Sequence, residues 1–70
     1  MLYLKIRRNP SYPILGIAQH KFQREIWGFV LATNSGVQVY IPSLNELWMF
    51  SFKYWMVDPL TKEYIKANWK

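Results

Sequence analysis

The first residues of the chain alternate apolar and polar side chains with a period of two. Over residues 2–7 the two alternating sets are Leu2, Leu4 and Ile6 on one side and Tyr3, Lys5 and Arg7 on the other. This period is typical of a half-buried β-strand. Residues 9–13 contain two prolines and are predicted to be irregular, whereas the apolar run 14–18 has the length of a second strand. Residues 20–25 are mostly polar and are interpreted as a connection.

The clearest hairpin joins residues 26–33 to residues 37–41, two segments rich in β-forming side chains and separated by an Asn-Ser-Gly sequence. A three-residue loop with Gly36 in the left-handed region predicts that Thr33 pairs with Val37. One face of the hairpin is then apolar and is predicted to face the core: Trp27, Phe29, Leu31, Val37, Val39 and Ile41. A two-residue Ser-Gly loop would mix the two faces, so the longer loop is favoured.

Residues 47–57, with the sequence LWMFSFKYWMV, form the most apolar stretch of the chain. In a helix these side chains would surround the whole circumference, which a domain this small cannot bury. A membrane-spanning helix needs about 20 apolar residues, and this stretch is shorter and contains Lys53. We therefore predict one strand with two faces. The inward face carries Trp48, Phe50, Phe52, Tyr54 and Met56, and the outward face carries Leu47, Met49, Ser51, Lys53, Trp55 and Val57.

Two neighbouring segments fit either a helix or a turn. Ser43 and Glu46 match a capping box, which predicts a short helical turn. Asp58 followed by Pro59 suits the start of a helix or the turn of a hairpin. The β-forming residues on both sides favour the hairpin, with residues 64–69 as its last strand, and a helix from Pro59 is the alternative.

Together these elements predict one mainly β domain over residues 1–70. We expect a small antiparallel sheet or barrel-like domain of about five to six strands, with room for one short helix. The alternative is an α+β domain with a C-terminal helix from Pro59. Seventy residues leave space for only a small core, and no repeat or linker divides the chain.

The composition excludes several classes of protein. The chain is 51% hydrophobic and contains four Trp, five Tyr and four Phe, so it is too apolar to be intrinsically disordered. It has no cysteine, which excludes disulfides and thiolate metal sites and is consistent with a reducing compartment. No apolar segment of signal-peptide type follows the N-terminal basic residues. We expect a cytoplasmic protein with no membrane partner.

Side chains suited to catalysis are scarce. The only histidine, His20, is next to Lys21, is predicted to be exposed, and has no nucleophile placed beside it by the sequence. The four carboxylates are scattered, and the three glycines form no phosphate-binding loop. We expect a non-enzymatic protein without a metal or a cofactor.

The charge of the chain points to an anionic partner. The formal net charge is +5, and the first 24 residues contain five cations and no acid. A basic surface with interspersed aromatic rings can hold phosphates and stack bases. We expect a protein that docks on nucleic acid or on a nucleoprotein machine. The candidate binding residues are Tyr3, Lys5, Arg7, Arg8, Lys21, Arg24, Lys53 and Trp55.

The alternative is a protein that binds another protein. A chain this short can carry more aromatic surface than it buries, and Trp and Tyr dominate interface hot spots. The surplus would include Trp48 or Trp55, Tyr40 and Trp69, unless all of these rings belong to the core. Such a surface would suit a small adaptor, an accessory subunit or a phage-type inhibitor.

Overall fold

The computed structural model describes residues 2–6 and 9–69, which form six antiparallel strands in one open sheet and a C-terminal helix. The strands are β1 (Tyr3–Lys5), β2 (Ser11–His20), β3 (Trp27–Thr33), β4 (Gly36–Ile41), β5 (Glu46–Met49) and β6 (Trp55–Met56), and the helix is α1 (Pro59–Asn68). The strand order is β1-β2-β3-β4-β5, and β6 also pairs with β2. The predicted mainly β class with one short helix is confirmed, and the sheet is open rather than closed into a barrel.

The helix covers one face of the sheet, which we call the inner face. Ile65 of α1 is fully buried in the main apolar cluster, whose other members are Leu15, Ala18, Val30, Val37, Val39, Ile41, Phe50 and Trp55. Paired residues of neighbouring strands point to the same side of a sheet. The register therefore places a second row on the opposite face, where Ile17 pairs with Phe29, Phe29 with Tyr40 and Tyr40 with Leu47.

The predicted register between β3 and β4 is wrong by one residue. Thr33 pairs with Gly36 across a two-residue Asn-Ser loop, and Val30 pairs with Val39. The Thr33 side chain holds this loop, because its Oγ1 lies 2.8 Å from the Gly36 carbonyl oxygen and accepts a hydrogen bond from the Ser35 N–H. The shift places Trp27 and Phe29 on the face opposite the helix instead of in the main core.

β2 is longer than predicted and includes Pro13, so the prediction of irregular structure over residues 9–13 is wrong for its second half. The Ile14 N–H donates to the Leu2 carbonyl on the β1 side. Because successive N–H groups point to opposite edges, the nitrogen of Pro13 faces the other edge. There the pairing with β3 begins only at Ile14. The missing N–H of the proline therefore costs no hydrogen bond of the ladder.

Residues 47–57 form two short strands, β5 and β6, and not the single strand that the alternation predicts. Ser51 accepts backbone hydrogen bonds from the N–H groups of both Tyr54 and Trp55, which closes a turn between the strands. The turn breaks the period of two, so Phe50 and Trp55 both point into the core. Trp55 is only 2% exposed, and its predicted outward position is wrong.

The C-terminal segment is the helix α1, so the hairpin favoured from the sequence is wrong and the helical alternative is confirmed. Asp58 is the N-cap and Pro59 occupies the first turn. The helical turn predicted at Ser43 is wrong as well. Residues 42–45 form a tight turn between β4 and β5, and the pairing of Ile41 with Glu46 closes the hairpin before a helix can begin.

Replacing the N-cap Asp58 with alanine is expected to destabilise the domain at neutral pH and to reduce its sensitivity to acid. Hydrogen bonds from the Thr61 side chain and then from the Thr61 N–H hold the pKa of Asp58 below its ordinary value of 3.8. A lowered pKa stabilises the fold above 3.8, and this contribution is lost as the pH falls through the pKa of the folded state. Urea unfolding at neutral pH and at successively lower pH measures the effect.

Asp58→Asn is the matched control, because it keeps an oxygen that caps the helix and removes only the titrating group. We expect its stability at neutral pH to lie between those of the wild type and of Asp58→Ala. A difference between wild type and Asp58→Ala that stays constant down to the lowest pH would contradict the assignment.

Candidate functional site

Three lysines line one groove on the helix side of the molecule. Lys21 extends from the end of β2, and Lys62 and Lys66 project from α1. The apolar part of the lining is formed by Phe52, Trp55, Met56 and Val57. We call this feature the basic groove; it encloses about 600 Å³, and none of its lining residues is acidic. Its positive charge is therefore not neutralised by a carboxylate in the lining.

Local contacts hold Lys21 and Lys62 of the basic groove in place. The Nζ of Lys21 donates a hydrogen bond of 2.7 Å to the Phe52 carbonyl, which leaves two of its three protons free for another acceptor. The Nζ of Lys62 lies 5.7 Å from the centre of the Phe52 ring, within range of a cation–π contact. Lys66 follows Lys62 by four residues, so both lie on the same side of α1. The groove thus presents partly ordered ammonium groups.

Exposed aromatic rings lie close to the basic groove. Phe22 and Tyr54 are both exposed, and their rings make an edge-to-face contact with centres 6.1 Å apart. The Lys21 N–H donates to the Tyr54 carbonyl, and the Nζ of Lys53 lies 5.6 Å from the centre of the Tyr54 ring. We call Phe22 and Tyr54 the aromatic rim. Planar rings beside ammonium groups form a surface on which bases can stack while phosphates bind the lysines.

His20 organises the backbone behind the aromatic rim. It is buried, so the prediction that it is exposed is wrong. Its Nδ1 accepts hydrogen bonds from the Phe22 and Gln23 N–H groups at 3.2 and 3.1 Å, which fixes the turn after β2. Its ring contacts four aromatic rings, those of Phe22, Trp48, Tyr54 and Trp55. Such contacts give His20 a structural role in this cluster.

The structure brings only some of the predicted binding residues together. Lys21 lines the groove, Lys53 lies over the Tyr54 ring of the aromatic rim, and Arg24 is exposed in the turn that His20 supports. Tyr3 and Lys5 are exposed on β1, opposite Pro13 and Ser11, whereas β6 pairs at His20. Seven residues of strand separate Pro13 from His20, which is about 23 Å. The two groups of predicted residues therefore do not form one continuous surface.

The other three predicted binding residues are either buried or outside the described residues. Trp55 lines the bottom of the groove but is a core residue, so its assignment as an exposed binding residue is wrong. Arg7 and Arg8 lie outside the described residues. Of the predicted aromatic surplus, Trp69 is exposed, Trp48 and Tyr40 are half-buried, and Trp55 is buried.

Lys62, Lys66, Phe22 and Tyr54 are the functional candidates that the sequence analysis did not select. Lys62 and Lys66 were detectable through the helical alternative, because a helix from Pro59 places residues four apart on one side. Tyr54 was assigned to the core face of a strand that the turn at residues 50–54 interrupts. No pattern in the sequence marks Phe22.

Neither a metal-binding cluster among the described residues nor a similarity to a known protein helps to define the site. Within residues 2–6 and 9–69, no three His, Asp or Glu side chains form a group that could hold a metal ion. No helix in this part of the chain has the length and apolar character needed to cross a membrane. No protein-family model, no curated protein and no solved structure is significantly similar to the chain.

Proposed function

We propose that this protein is a non-enzymatic binding module that holds single-stranded nucleic acid along the basic groove and the aromatic rim. One observation supports the proposal above all others. Three lysines share a groove with no acidic lining residue, next to two exposed aromatic rings. Phosphates of a polyanion would contact Lys21, Lys62 and Lys66, and bases would stack on Phe22 and Tyr54.

Salt dependence tests the proposal directly. Binding that releases counterions from a single strand weakens with a slope of about −0.7 per neutralised phosphate on logarithmic axes. If Lys53 joins the three groove lysines, a fourfold rise in salt concentration lowers affinity by roughly 50-fold. Fluorescence anisotropy with labelled single-stranded RNA and DNA, at two salt concentrations, measures this slope. An absence of binding at low salt would contradict the proposal.

Lys62→Gln combined with Lys66→Gln is expected to weaken nucleic-acid binding and to flatten the salt slope by about 1.4. Glutamine is as good a helix former as lysine, so α1 should keep its stability. The control is Lys5→Gln, which removes an exposed lysine from β1 at the far end of β2. If Lys5→Gln lowered the logarithm of the affinity by half as much as the double variant, each lysine would count equally and binding would be spread over the whole surface.

The partner and the cellular compartment that we propose for this protein rest on the same groove. A nucleic acid or a nucleoprotein complex in the cytoplasm is the partner that the basic groove suits, and the cysteine-free composition agrees with that compartment. The alternative of an adaptor or an inhibitor that docks on another protein would gain support if the groove bound no nucleic acid. A pull-down with chemical cross-linking would then recover one protein in stoichiometric amounts.

A further inference from the structure

The turn that follows β2 is held by one titratable side chain. His20 is the last residue of β2, and its Nδ1 accepts the hydrogen bonds of the Phe22 and Gln23 N–H groups. A backbone N–H can only donate, so Nδ1 presents a lone pair to the turn and the neutral imidazole carries its proton on Nε2. Asparagine and serine side chains cap turns in the same way, but they do not titrate.

Protonation of the imidazole removes this acceptor. Both nitrogens of an imidazolium are donors, so a proton on Nδ1 would face the two N–H groups that now donate to it. His20 is buried, and polar groups that lose their partner away from water are destabilising. The imidazole can take up the proton without this conflict only when the turn is open. Proton uptake and opening of the turn are therefore coupled.

The contacts around His20 confine the opening to the turn. The centre of the Trp55 ring lies 5.0 Å from that of the imidazole, within range of a cation–π contact, so the charged ring can stay in the aromatic cluster. The His20 N–H donates to the Ile26 carbonyl, and the Lys21 N–H donates to the Tyr54 carbonyl. Neither bond involves the imidazole, so the pairing at this end of β2 is kept when Nδ1 is protonated.

No carboxylate faces Nδ1 to compensate for its charge. The charged and titratable groups on the elements that pack against the ring are Lys21, Arg24, Glu25, Glu46, Lys53 and Tyr54. Glu46 accepts a hydrogen bond of 2.8 Å from Nε1 of Trp48, and Glu25 is exposed in the turn. Nδ1 itself faces two backbone N–H groups, so its protonated form gains no ion pair on that side.

We propose that His20 is a pH-sensitive switch that, when protonated, releases the turn at residues 21–25 and removes Phe22 from the aromatic rim. The Phe22 ring is exposed, and its edge-to-face contact with Tyr54 depends on the backbone that Nδ1 holds. Release of the turn does not depend on the function proposed above. Its consequence, weaker stacking of bases in acid, rests on that function.

Nuclear magnetic resonance tests the switch between about pH 8 and about pH 5, the interval in which histidine ordinarily changes its charge. The imidazole C–H signals report protonation, and His20 is the only histidine of the chain. Protection of the Phe22 and Gln23 amides against solvent exchange, normalised to the intrinsic rate, is expected to fall at least about tenfold with the same midpoint. The amides of Val30 and Val39 in the sheet should stay protected.

Three results would overturn the switch: an imidazole that stays neutral throughout the interval, one that is protonated while the Phe22 and Gln23 amides keep their protection, or a sheet that opens together with the turn. Acid titration of the helix cap does not interfere. Hydrogen bonds from Thr61 hold the pKa of Asp58 below 3.8, outside the interval.

His20→Asn is the matched control. The Oδ1 of asparagine is as many bonds from the backbone as Nδ1, accepts from N–H groups two and three residues ahead, and does not titrate. The two amides of the variant should be equally protected at both pH values, and a loss like that of the wild type would show that another group drives the opening. If the variant does not fold, the shared midpoint in the wild type decides the test.

The effect on binding is measured by fluorescence anisotropy with labelled oligouridine, whose bases do not titrate in this interval, at constant salt concentration. Charge alone would tighten binding in acid, because protonation adds a cation beside Lys21. The switch instead predicts that the wild type binds roughly fivefold more weakly or worse, the loss of one stacked base, and that His20→Asn does not. Tighter binding by the wild type in acid would contradict this regulation. Absence of binding at both pH values would contradict the proposed function, and the amide protection would still decide the switch.

Discussion

Replacing Trp55 with alanine is expected to lower the free energy of unfolding by about 3–5 kcal/mol. Trp55 is 2% exposed, belongs to the main apolar cluster, and contacts the rings of His20 and Trp48 with centres 5.0 and 6.1 Å away. Truncation of a buried tryptophan to alanine costs about 3–5 kcal/mol. A domain of this length has a free energy of unfolding of about 3.5–10 kcal/mol. The substitution therefore removes a large part of the stability.

Guanidinium unfolding, followed by near-ultraviolet circular dichroism, measures this loss. Trp69→Ala is the control, because Trp69 is exposed beyond the end of α1 and mainly stacks on Phe52. Its cost should be near 1 kcal/mol, which is typical of an aromatic pair at a surface. If Trp55→Ala kept the wild-type midpoint and lost only nucleic-acid binding, Trp55 would be a binding residue and its position in the core would be wrong.

The class of the fold was predictable because several segments have the composition or period of strands whatever their exact pairing. Val37, Val39 and Ile41 were correctly placed in the core from their alternation alone. The partner strand was not, because Val30 and Leu31 are adjacent, lie on opposite faces of β3 and are both apolar and fully buried, so the side chains alone do not show which of them faces the helix. A loop length that differs by one residue then decides the register.

The error over residues 47–57 has a different physical cause. Alternation is informative only while the chain stays extended, and nothing in the composition of this apolar stretch marks the turn at residues 50–54. Ser51 closes that turn with backbone contacts, which a residue type alone does not reveal. The turn exchanges the predicted positions of Trp55 and Tyr54, burying the first and exposing the second.

The positive charge of the candidate site was predictable from the sequence, but its position in the fold was not. Lys21 and Lys53 are exposed, as a binding role requires; Lys21 lines the groove and Lys53 lies over the neighbouring Tyr54 ring. Their neighbours depend on where β6 and α1 return to the sheet, which are contacts between residues far apart in the chain. The preference for a C-terminal hairpin removed Lys62 and Lys66 from consideration. Tertiary pairing of this kind cannot be inferred from local patterns.

Gly28→Ala is expected to lower the free energy of unfolding by about 3 kcal/mol, because the position has no room for a side chain. A Cβ at Gly28 would overlap the carbonyl oxygen of Tyr40 and would lie 2.7 Å from Cγ1 of Val39. The first obstacle is backbone of the neighbouring strand β4, which cannot move without disturbing the pairing of the two strands. Urea unfolding monitored by tryptophan fluorescence measures the change.

Gly36→Ala separates this effect from the general cost of replacing a glycine. Gly36 has a φ of 100° and open space around its Cα, so alanine there meets only backbone strain of about 1–2 kcal/mol. The double variant Gly28→Ala, Val39→Ala shows which obstacle dominates at Gly28. Removing the Val39 methyl groups leaves the Tyr40 oxygen in place, so the double variant should be no more stable than Gly28→Ala. Recovery of the wild-type midpoint would instead show that β4 can shift and that Val39 alone restricts the position.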